Sequence, residues 1–197
     1  MTAYEIESKI ELDQDDFNLL LKHATICKST KQLNVYYDSH GELSCSAATF
    51  RVRFILEDNP VITLKLPISY EGGTRKSLEI EHQISLNVSK KIKQEINVKE
   101  DLPEEFSLQL ERLGIDQLKR IGWMRNNRWV VKLTENLTIE LDEVHLPNGN
   151  IFFEAEIESC HTAEHLLAIN HISQIAKSAR PSLISKYERF LHALKPE

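Results

Sequence analysis

Apolar and polar residues alternate along much of this chain with the period of two that an extended strand imposes. Over residues 4–12, Tyr4, Ile6, Ile10 and Leu12 fall on one side, and Glu5, Glu7, Lys9 and Glu11 on the other. Arg51 and Arg53 alternate with Val52 and Phe54, and Thr63 and Lys65 with Ile62, Leu64 and Leu66. The pattern returns at Glu79 and Glu81 against Leu78 and Ile80, and at Glu140 and Asp142 against Ile139 and Leu141. It ends with Glu154, Glu156 and Glu158 against Phe153, Ala155 and Ile157. Turn-forming Asp58-Asn59-Pro60, Gly72-Gly73 and Pro147-Asn148-Gly149 separate several of these runs. Together they predict hairpins over 50–66 and 138–158.

Between strands the period lengthens. Asp15 or Asp16 is placed to open a helix over Phe17, Leu20 and Leu21, running to about Ala24. Ser89 is placed to cap a helical or extended segment near 90–97. A short helix is expected from Glu104 to Leu113, closed by Gly114 in the left-handed region. Leu166, Leu167, Ile169, Ile172 and Ile175 follow helical spacing after Thr162, and Pro181-Ser182 is read as opening a last helix with Leu183, Ile184, Tyr187 and Leu191. Both stripes read as core. No repeat, low-complexity tract or linker divides the chain, so residues 1–197 are expected to form one domain.

Composition narrows the class without naming it. The 197 residues are 41% hydrophobic and 27% charged, as expected of an ordinary globular protein. Against 30 Asp+Glu stand 24 Lys+Arg, a net charge of −6, which argues against broad non-specific binding to nucleic acid. Cys27, Cys45 and Cys160 are odd in number and lack metal or redox spacing, so a reducing cytoplasm is the simplest compartment. No apolar run has membrane-spanning length, and the first residues do not resemble a signal peptide.

The sorting of charge says more than its sum. Charge is sorted by strand: nearly all acidic at 5/7, 79/81, 140/142 and 154/156/158, and purely basic at 51/53 and 65. Two like side chains on one strand face stand about 6.6 Å apart. A half-exposed sheet explains any single strand, but a sheet of this kind can also close into a barrel with a polar interior. Carboxylates confined there would be forced to protonate unless a cation joined them. Oxygen donors without Cys or His suit a hard ion such as Mg²⁺ or Mn²⁺. The arginine forks and the lysine suit phosphate oxygens. The combined demand is a divalent metal with a chain of phosphates.

Glu5-Ile6-Glu7-Ser8-Lys9 has the form ExExK and resembles the start of the CYTH domain of the triphosphate tunnel metalloenzymes. The similarity continues in order through Asn34-Val35-Tyr36-Tyr37-Asp38, Arg51-Val52-Arg53, Thr63-Leu64-Lys65, Glu79-Ile80-Glu81, Arg120 with Trp123, Leu141-Asp142, Glu154–Glu158 and Ser185-Lys186-Tyr187. The resemblance implies an α+β, mainly β fold: a closed eight-stranded antiparallel β-barrel, the tunnel, with surrounding helices. It implies that Glu5, Glu7, Glu79, Glu81, Asp142, Glu154 and Glu156 serve as metal ligands or nearby acids. A two-residue shift in the last strand would substitute Glu156/Glu158 for Glu154/Glu156. It implies phosphate binding by Lys9, Arg51, Arg53, Lys65, Arg120 and Lys186, with Arg125 and Arg128 as further candidates. Glu81, or Lys9 with Tyr36, would activate water. Ser39 after Asp38 departs mildly from the family pattern, which often has Thr there.

The implied activity is metal-dependent hydrolysis of the terminal phosphate of a triphosphate, with Mg²⁺ or Mn²⁺ as cofactor and inorganic tripolyphosphate as the foremost substrate. Nucleoside or thiamine triphosphates are alternatives. So are cyclisation of ATP by a class IV-like adenylate cyclase and a non-catalytic polyphosphate- or nucleotide-binding module. Neither a nucleic-acid duplex nor a membrane is expected as a partner. Other features carry less. His161 and His165 stand at helical spacing without a third ligand and read as a solvent-facing pair. Gly72-Gly73-Thr74-Arg75-Lys76 lacks the P-loop form and reads as a hairpin turn with two bases at a tunnel mouth. Lys90-Lys91-Ile92-Lys93 reads as a solvated face, and Trp123 and Trp129 as packing residues.

Overall fold

The computed structural model describes residues 2–56, 58–71, 73–86, 89, 94–159 and 161–195. Ten strands alternate with six helices among them. The strands are β1 (Thr2–Leu12), β2 (Thr25–Asp38), β3 (Thr49–Ile55), β4 (Val61–Glu71), β5 (Thr74–Gln83), β6 (Glu95–Asn97), β7 (Gln117–Thr134), β8 (Leu137–His145), β9 (Ile151–Glu158) and β10 (Arg180–Pro181). The helices are α1 (Gln14–His23), α2 (Glu42–Cys45), α3 (Val98–Asp101), α4 (Glu104–Arg112), α5 (Thr162–Ile175) and α6 (Lys186–Leu194). The sheet runs β10-β1-β5-β4-β3-β2-β7-β8-β9, and β1 also pairs with β9. Eight strands thus close into an antiparallel barrel, with β6 appended to β7 and β10 to β1.

Both expected hairpins form. In the first, Arg51 lies opposite Thr63, and in the second Asp142 lies opposite Glu154. Gly114, at φ +77, follows α4 as expected. Lys90-Lys91-Ile92-Lys93, Gly72 and Cys160 lie outside the described residues, and of the segment near 90–97 the described end is strand β6.

The chain packs as two compact units. Unit 1 comprises Met1–Tyr4, Leu33–Ile68 and Ser77–Trp123; unit 2 comprises Glu5–Gln32, Ser69–Lys76 and Met124–Glu197. In unit 1, alternate residues of β2, β3 and β4 (Val35, Tyr37, Phe50, Val52, Ile62 and Leu64) meet Phe106 and Leu110 of α4 in one apolar cluster, with Trp123 against it. In unit 2, Ile10, Leu12, Leu141, Ala155 and Ile157 meet Phe17 and Leu20 of α1 and Ala168 and Ile172 of α5, with Trp129 against them. Both tryptophans are packing residues. Since helices cover the apolar faces, the charged faces of the same strands are left to the other side of the sheet.

Three helical expectations need correction. Helix α1 is capped by Asp13, whose side chain accepts from Asp16 N–H, rather than by Asp15 or Asp16. The last helix begins at Lys186, not after Pro181, because Ser185 and Glu188 form a reciprocal capping box while Pro181 pairs with β1. Leu183 is consequently 75% exposed rather than core. In α5 the buried face is His165, Ala168 and Ile172, which leaves Leu166 and Leu167 60% and 68% exposed. His165, expected to face solvent, is 1% exposed. Among the described residues no helix is long and apolar enough to cross a membrane.

Candidate metal and phosphate site

Strand register brings the acidic residues of unit 2 into rows. Glu7 lies opposite Glu158, and Lys9 opposite Glu156, across β1 and β9. Glu140 lies opposite Glu156 and Asp142 opposite Glu154 across β8 and β9, while Arg128 of β7 lies opposite Asp142. Residues paired in this way share a face, so five elements contribute to one charged patch once α6 adds Lys186. The capping box matters here, because it makes Lys186 the first residue of α6.

Cations knit the patch together. Lys186 Nζ lies 2.5 Å from Asp142 Oδ2, 2.7 Å from Glu154 Oε1 and 2.9 Å from Glu156 Oε1. Arg128 donates in a fork to Asp142, from Nε at 2.8 Å and Nη2 at 2.6 Å, and also pairs with Glu140 and Glu156. Lys9 pairs with Glu156 and lies 3.2 Å from Glu7 Oε2. Burial opposes charge on all three bases, yet the carboxylates around them win and hold Lys9, Arg128 and Lys186 above their ordinary values. The surrounding carboxylates therefore favour the ammonium form of Lys9.

Three bases do not neutralise this many acids. Glu7, Glu140, Asp142, Glu154, Glu156 and Glu158 are six carboxylates against Lys9, Arg128 and Lys186, a balance of 3 − 6 = −3 when all are ionised. The strain falls unevenly. Burial tends to raise Glu156 and Asp142, but their cations hold Glu156 well below the usual carboxylate range and Asp142 lower than ordinary. Burial raises Glu154 despite Lys186 and Lys9. Burial also pushes Glu140 up to about 7, with Arg128 opposing and Glu156 and Asp142 adding. Glu158 rises to about 8 through burial and the charges of Glu140, Glu156 and Glu5. Glu154 Oε2 is buried and accepts no hydrogen bond from the described residues.

Two overlapping carboxylate groups are close enough to share an ion. One oxygen from each of Glu140, Glu156 and Glu158 lies within 4.8 Å of the others, and the same holds for Asp142, Glu154 and Glu156. Lys186 already fills the second group. In the first, Arg128 pairs with Glu140 and Glu156.

Unit 1 carries the other charged set on half-buried side chains. Arg51 Nη2 lies 3.5 Å from Glu79 Oε1, Arg53 Nε donates to Asn34 Oδ1 at 3.2 Å, and Thr63 Oγ1 donates to Glu81 Oε1 at 3.0 Å. Lys65 lies opposite Thr49, two positions from the Arg51–Thr63 pair. Tyr36 is buried on β2. Arg120 is exposed on β7, and its charge opposes the rise that burial imposes on the Tyr37 hydroxyl. Arg125 is exposed, opposite His145.

The ExExK strand, the paired rows and the basic β3–β4 hairpin are features that a single family combines in this order. The CYTH domain profile matches residues 3–191. The chain belongs to the CYTH domain family. No curated protein sequence matches it. Among solved structures, a candidate adenylyl cyclase from Hippeastrum with a dominant triphosphatase activity is 21% identical, with 95% of each chain covered and a TM-score of 0.80. A candidate adenylate cyclase from Bacillus halodurans is 22% identical over 96% of this chain and 98% of its own, with a TM-score of 0.77. The triphosphatase of the Mimivirus capping enzyme is 13% identical over 87% and 89%, with a TM-score of 0.50. At these identities the likeness is one of fold.

Sequence reading found most of the charged residues but undervalued two. Glu140 shares the alternation of Asp142 yet was not among the expected ligands. Arg128 was only a secondary candidate, although it touches three of the acids. The visible signal was shared parity with Asp142 across the 138–158 hairpin.

Proposed function

We propose that this CYTH protein is a metal-dependent triphosphatase, with residues 1–197 forming one tunnel domain and inorganic tripolyphosphate as its foremost substrate. The observation that carries the reading is the deficit of three positive charges in the buried cluster of unit 2. A divalent cation would reduce that deficit, and the all-oxygen donor set fits Mg²⁺ or Mn²⁺. Glu140, Glu156 and Glu158, with Glu7 beside Glu158 and Glu5 near them, would hold it. The Lys186 distances favour the Glu156/Glu158 register over Glu154/Glu156. When bound, the ion supplies Lewis-acid polarisation of phosphate oxygens.

The chain's own groups would do the rest by position and charge, as phosphoryl transfer requires. Arg51, Arg53 and Lys65 would hold phosphate oxygens, the arginines through forked donors. Lys9, as an ammonium, would stabilise charge on the leaving pyrophosphate. Glu81, oriented by Thr63, would align the attacking water. Lys186 would hold Asp142 ionised without a metal and pair with Glu154 beside it. Its expected role as a phosphate ligand therefore becomes one of neutralising acids, and Glu79 joins Arg51 as a partner that orients it.

A second reading, cyclisation of ATP, is favoured by the candidate cyclases among the similar structures. A non-catalytic anion-binding module gains nothing from four buried acids with two more beside them. Incubating the purified chain with tripolyphosphate, ATP or thiamine triphosphate, each with Mg²⁺ or Mn²⁺, separates them. Orthophosphate from tripolyphosphate is expected. Cyclic AMP with pyrophosphate from ATP would support the cyclase, and no turnover of any substrate would reject both enzymes.

A further inference from the structure

Two carboxylates, Glu7 and Glu158, lie directly opposite each other where β1 and β9 pair to close the barrel. Once both ionise to receive a cation their charges oppose the strand pairing, so something must hold this end of the seam together. The pairing at this end is itself thin. Beyond Glu158, Ser159 N–H donates to Ile6 C=O at a long 3.3 Å.

His165 bridges the two strands at this point. Its Nε2 lies 2.9 Å from Ser159 O, and Nδ1 lies 2.9 Å from Ser8 Oγ. A carbonyl oxygen only accepts, so Nε2 carries the proton, and in the neutral ring Nδ1 accepts from the Ser8 hydroxyl. Ser8 Oγ then receives from Thr74 Oγ1 at 3.0 Å. The chain Thr74→Ser8→His165→Ser159 runs in one direction with each link satisfied. Ser8 stands between Glu7 and Lys9, and Ser159 follows Glu158, so the imidazole grips the backbone immediately beside two acids of the patch. Ala168 and Ile172 fix α5 against the same strands, so the ring is mounted on a packed helix. A reactive serine–histidine pair would need access and an acid; Ser8 and His165 are both buried, and the ring's second nitrogen meets a carbonyl.

We infer that His165 is a positioning residue for the divalent-cation site, clamping β1 to β9 so that Glu7 and Glu158 stay in place for an ion despite their repulsion. The inference rests on the reading of that patch as a cation site. Outer partners that orient metal ligands typically change metal affinity 10–100-fold. Calorimetric titration of Mn²⁺ into the metal-free full chain tests it without reference to turnover. His165→Ala is expected to raise the Mn²⁺ dissociation constant roughly tenfold, and Ser8→Ala to raise it in the same direction. His165→Gln, which can donate and accept along the same line, is expected to recover most of the affinity. Ser173→Gly, an exposed position eight residues further along the same helix, should lower the melting temperature and leave the Mn²⁺ affinity unchanged. If His165→Ala does not fold, Ser8→Ala decides. Wild-type affinity in the folded bridge variants, or an equal loss in Ser173→Gly, overturns the inference alone. Absence of Mn²⁺ binding by the wild type overturns the cation site and the inference together.

Discussion

The two units carry charged faces of opposite balance and different construction. In unit 1, Arg51, Arg53 and Lys65 outnumber Glu79 and Glu81, their side chains are half-buried, and Arg51–Glu79, Arg53–Asn34 and Thr63–Glu81 stand 3.0 to 3.5 Å apart. In unit 2, six acids outnumber three bases; Glu7, Asp142, Glu154 and Glu156 are buried, and Asp142 and Glu156 each meet more than one base. A half-solvated basic set can exchange water for a phosphate oxygen at modest cost. A buried cluster with excess negative charge cannot shed its burden to water and must take up protons or a cation. On the proposed reading, phosphate binding falls to the first face and metal binding to the second. Four perturbations press on that division.

The largest effect is expected from Glu156→Gln. Glu156 belongs to both carboxylate groups and meets Lys9, Arg128 and Lys186. Tripolyphosphate turnover should fall by about 10³-fold, the scale of losing one preorganised electrostatic group. Glu79→Gln in unit 1 should cost roughly tenfold, and equal losses would erase the distinction.

Next, Arg51→Ala and Arg53→Ala should each raise KM for tripolyphosphate about 10–100-fold, since a charge-assisted bond contributes roughly 1.5–3 kcal/mol. Calorimetry should meanwhile find the Mn²⁺ affinity of the metal-free chain unchanged.

Lys186→Met leaves Asp142 and Glu154 without their buried ammonium. Denaturant unfolding without metal should show a loss of about 3 kcal/mol. Saturating Mg²⁺ should recover part of it, because a cation then replaces the missing charge. Full loss in both conditions would show that the acids accept no substitute.

The mildest test is pH. Glu140 and Glu158, raised to about 7 and about 8, bind more protons folded than unfolded between pH 5 and their folded values. Their contribution to metal-free stability is therefore present at low pH and lost as pH rises toward 8. Thermal melts should show this decline, and Mg²⁺ should flatten it because the ion displaces those protons. Glu156 and Asp142, held low, add the opposite limb: their contribution is lost as pH falls below about 4.

How far the sequence revealed this varied with how local each cause was. Period-two alternation exposed the acidic strands and both hairpins because one face is packed and the other charged. Strand β7 was not legible. Its buried side moves from the even position Leu118 to the odd positions Trp129 and Val131, which destroys a simple alternation over its 18 residues. The start of α6 was legible in Ser185-x-x-Glu188, yet Pro181 offered a competing start. His165 could not have been placed. Its spacing to His161 suggests a surface pair, whereas its burial comes from Ser8, 157 positions away.

The most direct test is to locate the ion. Crystals of the full chain grown with Mn²⁺ and tripolyphosphate, measured at the manganese absorption edge, will give an anomalous peak at the metal. The account expects that peak bonded to oxygens of Glu156 and Glu158, with Glu7 or Glu140 completing the protein ligands. A sole peak bonded to Glu79 and Glu81, or one that displaces Lys186 from Asp142 and Glu154, would contradict it.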